Sequence, residues 1–191
     1  NKVFWALWFF QITIIIFGLK MALTPTTPIP LGFLAPEFRL PDAISGEMMD
    51  SEALFQGGPT VVAFICNHCP FVIHLLAALV DVATEYQAKG VNFIAISSNN
   101  VATHPQDGFP EMGQLAQKYR MPFPYLYDES QEVARAYDAA CTPDFSLFDT
   151  HNQCAYRGQF DGSRPGNNAP ITGADLRQAL DLLLSGNKVP T

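Results

Sequence analysis

The sequence predicts an α/β fold built on a buried pair of parallel strands, and three observations carry that prediction. Thr60–Ile65 (TVVAFI) is a continuous apolar run rich in β-branched residues, as a strand covered on both faces should be. After Cys69, the apolar residues Phe71, Leu75, Ala78, Leu79, Val82 and Tyr86 recur at helical spacing until Gly90 stops the helix. Val91–Ser97 (VNFIAIS) reads as a second buried strand, and a strand–helix–strand crossover of this length joins parallel neighbours.

The remaining elements follow in order. Glu37–Asp42 alternates with period two and runs into Gly46, so it forms one arm of a short N-terminal hairpin. Ser51 is read as the cap of a brief helical turn through Leu54 and Phe55. Pro110 suits the first turn of a helix over 111–119; Pro122 and Pro124 end it, and Tyr125–Tyr127 is a short strand. Ser130–Tyr137 is a short helix. Phe145–Phe148 and Cys154–Arg157 flank the turn-rich tip Asp149–Asn152 and form a second hairpin. A loop over 161–172 leads to a helix from Ala174 to Leu184, with Leu176, Leu180, Leu183 and Leu184 expected inward and Gly186 at its end.

The 191 residues, 48% of them apolar, are enough for one core without disulfide staples, and the domain is placed at 37–186. Residues 21–36 are a Pro-rich lead-in and 187–191 a tail. With 11 Lys plus Arg and a net charge of -7, the chain lacks the basic face that a nucleic acid requires. Residues 1–20 stand apart: Val3–Leu19 is an uncharged run of 17 residues between Lys2 and Lys20. A bilayer core asks for about 20. Two expectations follow, a native membrane anchor, or a true start at Met21 after non-native upstream sequence and hence a cytoplasmic protein. The membrane is a partner only on the first.

Four cysteines are too few for a disulfide scaffold in a chain of this length, and two of them, Cys66 and Cys69, stand three apart at the strand-to-helix junction. A cysteine at a helix N-terminus meets unpaired N–H groups and the positive end of the dipole, which stabilise thiolate over thiol. A second thiol three residues away can resolve a mixed disulfide formed by the first. Two other readings of the pair remain at this level: inert buried cysteines, or a metal site using both thiolates and a histidine.

In these segments the chain resembles the thioredoxin-fold redoxin family, which joins thiol-disulfide reductases with the alkyl hydroperoxide reductase and thiol-specific antioxidant proteins. The resemblance runs from about Ala35 to Gly186. It rests on Ala35-Pro36-Glu37-Phe38, Val61-Val62-Ala63-Phe64, the Cys66–Cys69 turn, Gly90-Val91, and Thr142-Pro143 before Phe145-Ser146-Leu147-Phe148-Asp149. The longer string CNHCPFVIH is similar to a bacterial branch of thioredoxin-family proteins. The resemblance implies a central mixed sheet flanked by helices, with the N-terminal hairpin as an extension.

It also implies roles. In thioredoxin-like reductases the first cysteine lies five residues after the strand phenylalanine and about 21 before the glycine that precedes the next strand. Here both counts select Cys69, since Phe64 and Gly90 stand at those distances. Cys69 is therefore expected as nucleophile and Cys66 as the resolving thiol. Thr142 and Pro143 fall where those reductases carry a cis-proline that docks an extended disulfide substrate. Cys69-Pro70 is also similar to the Cys-Pro of peroxiredoxins, with Cys66 in the place of their Thr or Ser, although Pro143 stands where their peroxide-polarising Arg would be.

Among the residues nearby, His68 is a candidate to stabilise the Cys69 thiolate. His74 is read as packing or capping, Cys154 as packing, and Cys141 as either a third redox thiol or a space-filler. Arg164, in the 161–168 loop, is a candidate for selecting an anionic substrate if that loop borders the site. The expectation is a thiol–disulfide oxidoreductase needing no organic cofactor, acting on protein or small-molecule disulfides with a thiol electron donor. The alternatives are a peroxiredoxin-like thiol peroxidase acting on peroxides, and a copper- or zinc-binding metallochaperone. The resembling branch carries a further cysteine-bearing tail that is not seen after Lys188, which leaves the chain open to being a fragment.

Overall fold

The computed structural model describes residues 30–189. The chain begins with a hairpin, β1 (Arg39–Pro41) against β2 (Met48–Asp50), antiparallel with Leu40 opposite Met49. Its turn is organised by Asp42, which is buried; one carboxylate oxygen accepts from Ser45 N and Oγ, and the other accepts from Tyr125 N at 2.9 Å. The hairpin is thereby tied to the sheet. A one-turn helix, α1 (Ser51–Leu54), follows. Asp50, not Ser51, takes the N-cap position, and the Ser51 hydroxyl instead accepts from the Phe38 amide at 3.0 Å, because the hairpin leaves that buried N–H without a strand partner.

The sheet holds five strands in the order β5-β4-β3-β6-β7, where β3 is Thr60–Phe64, β4 Asn92–Ser97, β5 Tyr125–Tyr127, β6 Asp144–Phe148 and β7 Cys154–Gly158. β3 pairs in parallel with β4, β4 in parallel with β5, and β3 and β7 each run antiparallel to β6. This is the expected thioredoxin-like α/β fold: a mixed sheet, helices on its faces, and an N-terminal hairpin.

Every residue of the central strand β3 is buried, which is why its sequence shows no alternation. Val61, Ala63 and Ile65 face one layer, formed by α2 (Pro70–Gln87), α3 (Phe109–Tyr119) and α5 (Ala174–Leu184); Val62 and Phe64 face Phe38, Leu40, Phe55, Tyr137 and Phe148 on the other. In α2 the inward face is Val72, Leu75, Leu76, Leu79, Val82, Ala83 and Tyr86. Phe71 stands at its margin. α5 buries Leu176, Ala179 and Leu180, and Leu182 and Leu183 pack half-buried against the same core, while Leu184, the last residue of the helix, is 39% exposed, contrary to the inward role expected of it. A short helix, α4 (Glu132–Ala136), precedes the loop that enters β6.

The membrane expectation requires correction. Among the described residues no helix is long and apolar enough to cross a membrane. The 3–19 run on which the anchor rested lies outside the described residues.

At the base of the sheet the chain entering β3 crosses the chain entering β4, with Asn92 N donating to Pro59 O at 2.8 Å. A Cβ on Gly58 would stand 2.0 Å from the Gly90 carbonyl oxygen, so the backbones meet at a distance only glycine permits. Gly58→Ala should therefore cost at least about 1 kcal/mol of stability, the lower end of the range for overpacking. Urea midpoints of the two proteins check this, and coincident midpoints would rule out the close approach.

Candidate active site

The sheet register brings three segments to one edge. Phe64 pairs with Ile96 of β4 and with Asp144 of β6. Because β6 is antiparallel to β3, the chain leaving β3, the chain leaving β4 and the chain entering β6 all emerge there. They supply Cys66–Cys69, the stretch 98–107, and Cys141–Pro143 respectively.

Cys69 occupies the N-cap of α2 in extended conformation (φ -65°, ψ 121°), with Pro70 in the first helical turn. Its sulfur receives a hydrogen bond from the Cys66 thiol and further ones from the Val72 and Phe71 amides at the open end of the helix. The Cys66 bond is the largest influence, and against the opposing effect of burial these donors lower the Cys69 pKa to about 5. Cys66 is fully buried, and the bond it gives to Cys69, together with burial, pushes its own thiol far up. The two shifts run in opposite directions, so the pair favours thiolate on Cys69 and thiol on Cys66. Thr142 closes the site from the other side: its hydroxyl stands 3.2 Å from Cys66 Sγ, its carbonyl is placed to accept from Cys69 Sγ at 3.2 Å when that sulfur carries its proton, and the Thr142–Pro143 peptide is cis.

Behind the turn lies Asp107, which has no solvent exposure and sits at the end of a 3₁₀ turn, Pro105–Asp107. Its Oδ1 accepts from the amides of Asn67 (2.7 Å) and His68 (3.2 Å); its Oδ2 accepts from His68 Nδ1 (2.6 Å) and Asn99 Nδ2 (2.8 Å). Asn67 is held further by Tyr125 OH, which donates to its Oδ1 at 3.0 Å, and by its own Nδ2 donating to Gln106 O. The His68 ring stacks on His104, with centroids 4.1 Å apart and planes inclined by 14°. A cavity of about 650 Å³ opens in front of Cys69; its wall includes Phe64, His68, His104, Arg135, Cys141 and Thr142.

The sequence model of the AhpC/TSA family matches residues 31–160. The chain belongs to the AhpC/TSA family. Among solved structures it is similar to an uncharacterized conserved protein from Geobacillus kaustophilus, at 50% identity over 90% of this chain and 91% of that one, with a TM-score of 0.87. A hypothetical protein from Sinorhizobium meliloti is 43% identical over 88% and 92% of the two chains, with a TM-score of 0.86. A peroxidoxin from Mycobacterium tuberculosis, 18% identical over 82% and 97% with a TM-score of 0.62, shares the fold. No curated protein matches the chain.

Of the residues singled out from the sequence of this AhpC/TSA protein, Cys66, Cys69, His68, Thr142 and Pro143 come together, and Cys141 stands on the same cavity wall as Cys69. Burial, first of all, raises the Cys141 pKa, with Asp144 and Cys69 adding to it. Cys154 is buried, its thiol raised by that burial to about 11. His74 Nε2 is 2.7 Å from Ser163 Oγ, tying α2 to the 161–172 loop. Arg164 is not brought to the cavity: its guanidinium donates to Asp161 O, Ser163 O and Gln159 Oε1, closing its own loop.

Cys66, His68 and Asp107 each place one potential metal donor within 4.8 Å of the others. The His68 and Asp107 atoms are 2.6 Å apart, a charge-assisted hydrogen bond, whereas two ligands on one tetrahedral zinc stand about 3.3 Å apart for bonds near 2.0–2.1 Å. As arranged, the three do not fit an ion. Asp107 was invisible in the sequence. It lies 39 residues from His68 in a polar loop with no periodicity, and the one available signal was an acidic residue in the first loop after a strand parallel to β3.

With Cys69 lowered to about 5 and the Cys66, Cys141 and Cys154 thiols raised, iodoacetamide at neutral pH should modify Cys69 selectively. Its rate should stay level as pH falls from neutral and drop by half near pH 5, where the thiolate takes up its proton. Cys66→Ala removes the strongest donor, so the half-point should move upward. Mass mapping of the modified thiols checks both statements, and equal labelling of Cys66 and Cys69 would overturn the assignment.

Proposed function

We propose that the protein is a thiol–disulfide oxidoreductase in which Cys69 attacks and Cys66 resolves. The observation that carries this reading is the placing of the pair: Cys69 at the N-cap of α2 on the wall of a cavity, its pKa lowered, and Cys66 fully buried behind it, its pKa raised. The Cys69 thiolate attacks one sulfur of a bound disulfide; its electron pair forms the new S–S bond and the other sulfur leaves as thiolate. The charge on Cys69 that had held the Cys66 proton in place is then gone. Cys66 loses that proton and attacks the Cys69 sulfur, forming the Cys66–Cys69 disulfide and releasing the second half of the substrate. A thiol donor returns the two electrons.

The loop at Cys141–Pro143 supports substrate docking in this reading. Thr142 touches both sulfurs, so an extended chain laid along this loop would bring its disulfide to Cys69. A peroxidase reading uses the same thiolate: attack on a peroxide leaves a sulfenic acid on Cys69 and an alkoxide or hydroxide leaving group, and Cys66 condenses with the sulfenic acid, releasing water. The guanidinium nearest in function, Arg135, lines the cavity but donates to Ser130 O at 2.7 Å, while Arg164 is occupied elsewhere. Peroxide polarisation thus has weaker support than disulfide exchange.

The test is a paired assay on one reduced sample, comparing reduction of a model protein disulfide with oxidation by hydrogen peroxide. Disulfide reduction should dominate, and Cys69→Ser should abolish it. Cys66→Ser should leave the first step and accumulate a mixed disulfide on Cys69, detected as a mass adduct. Peroxide oxidising Cys69 orders of magnitude faster than a free thiol would establish the peroxidase reading in its place.

A further inference from the structure

We propose that His68, oriented by Asp107, is the general acid that protonates the leaving thiolate in the exchange reaction; this rests on the thiol–disulfide reading above. The geometry of the ring carries the inference. The buried Asp107 carboxylate can only accept, so Nδ1 of His68 donates to it at 2.6 Å. Nε2, on the far side of the ring, has no protein partner among the described residues, and His68 lines the cavity together with Cys69. The ring cannot easily turn away from this pose, because one face is stacked on His104 and its own backbone N–H also donates to Asp107. A histidine fixed through one nitrogen by a buried carboxylate, with the other left free on the wall that carries the nucleophile, is the arrangement by which imidazole delivers protons in hydrolases. Here it stands beside a thiolate nucleophile, in a cavity whose wall carries no carboxylate among the described residues. The titratable and charged groups facing the ring are Asp107, His104, Cys66 and Cys69, with Arg135 and Cys141 on the same cavity wall.

The protons balance across the cycle. Cys69 attacks as thiolate, and the first leaving thiolate takes the Nε2 proton of the imidazolium, departing as thiol and leaving His68 neutral. Cys66 then gives up its proton as it attacks the mixed disulfide, and the neutral imidazole, one nitrogen of which lies within 4.8 Å of the Cys66 sulfur, accepts it. The restored imidazolium protonates the second leaving thiolate. One disulfide gains two electrons and two protons; the protein gains one S–S bond and is left with neutral His68. Asp107 keeps its negative charge throughout and acts as a positioning residue.

The test turns on the leaving group. A leaving alkyl thiolate needs the proton, whereas the thiolate released from dithiodipyridine is stable without one. Single-turnover rates of the reduced protein are measured with hydroxyethyl disulfide and with dithiodipyridine, and the ratio of the two is the readout. Any effect of the substitution on Cys69 nucleophilicity or on folding acts on both rates and cancels in the ratio. His68→Gln, at a side chain 28% exposed, should lower the alkyl-to-aromatic ratio by about a hundredfold, the lower end for general acid catalysis. Asp107→Asn should lower the same ratio, since it releases the ring. An unchanged ratio in His68→Gln, whatever the individual rates, would overturn the proposal. If neither disulfide reacts through Cys69 in the unsubstituted protein, it is the exchange reading that fails.

Discussion

Asp107 is the group around which the reactive turn is built, and its burial explains why the turn has one conformation. A carboxylate without solvent must be repaid by hydrogen bonds, each worth about 1.5–3 kcal/mol when one partner is charged. Asp107 obtains them from the amides of Asn67 and His68, the His68 ring and the Asn99 side chain. Three of those four donors belong to the segment between the two cysteines. The requirement to satisfy one buried charge therefore fixes the path of the chain between Cys66 and Cys69, which in turn sets one sulfur at the helix N-cap and the other behind it.

That arrangement makes the two thiols unequal although they stand in one short motif. Cys69 gains donors from a helix end and from its partner, while for Cys66 the bond to Cys69 and burial outweigh the opposing contact with the Thr142 hydroxyl. The inequality is conditional: it exists while Cys69 is a thiolate and relaxes when Cys69 is bonded to another sulfur. In the proposed reaction, a resting thiolate on Cys69 and a second step that waits for the first both follow from this coupling of the two sulfurs. Thr142, touching both sulfurs from the entrance to β6, ties this exchange of roles to the segment on which a substrate chain would lie.

The sheet and its order of elements were legible in the sequence because β3, α2 and β4 carry strong, contrasting periodicities, and Gly90 and Pro110 punctuate them. The register of the cysteines came from the resemblance, whose count of five residues from Phe64 points to Cys69, the residue found at the N-cap of α2. Expectations failed where tertiary contacts outweigh local pattern. Ser51 has the composition of a cap but spends its hydroxyl on Phe38; Leu184 has the spacing of a core residue but, at the last position of its helix, is left exposed. Arg164 has the charge for a substrate contact, yet its Gly- and Pro-rich loop leaves carbonyls that must be satisfied, and the guanidinium satisfies them. Asp107 was missed outright, since a lone acid in a polar loop announces nothing until the fold brings it under the turn.

With Cys69 proposed as the reactive thiolate, the choice among reactions depends on where protons can go. A chain of net charge -7 presents, around Cys69, a cavity wall with Arg135, His68 and His104 and no carboxylate among the described residues. The one nearby acid, Asp107, is kept behind the turn and fully engaged. Negative charge leaving the nucleophile thus meets donors and no repulsion, whether it departs on sulfur or on oxygen. What separates the two cases is the need for polarisation before attack: a disulfide is already soft and needs a proton only as it breaks, whereas a peroxide benefits from a fixed cation on its oxygens from the start. The site offers an oriented imidazole beside the thiolate, while its guanidinium is bonded to a backbone carbonyl, and that division of donors favours sulfur as the leaving atom.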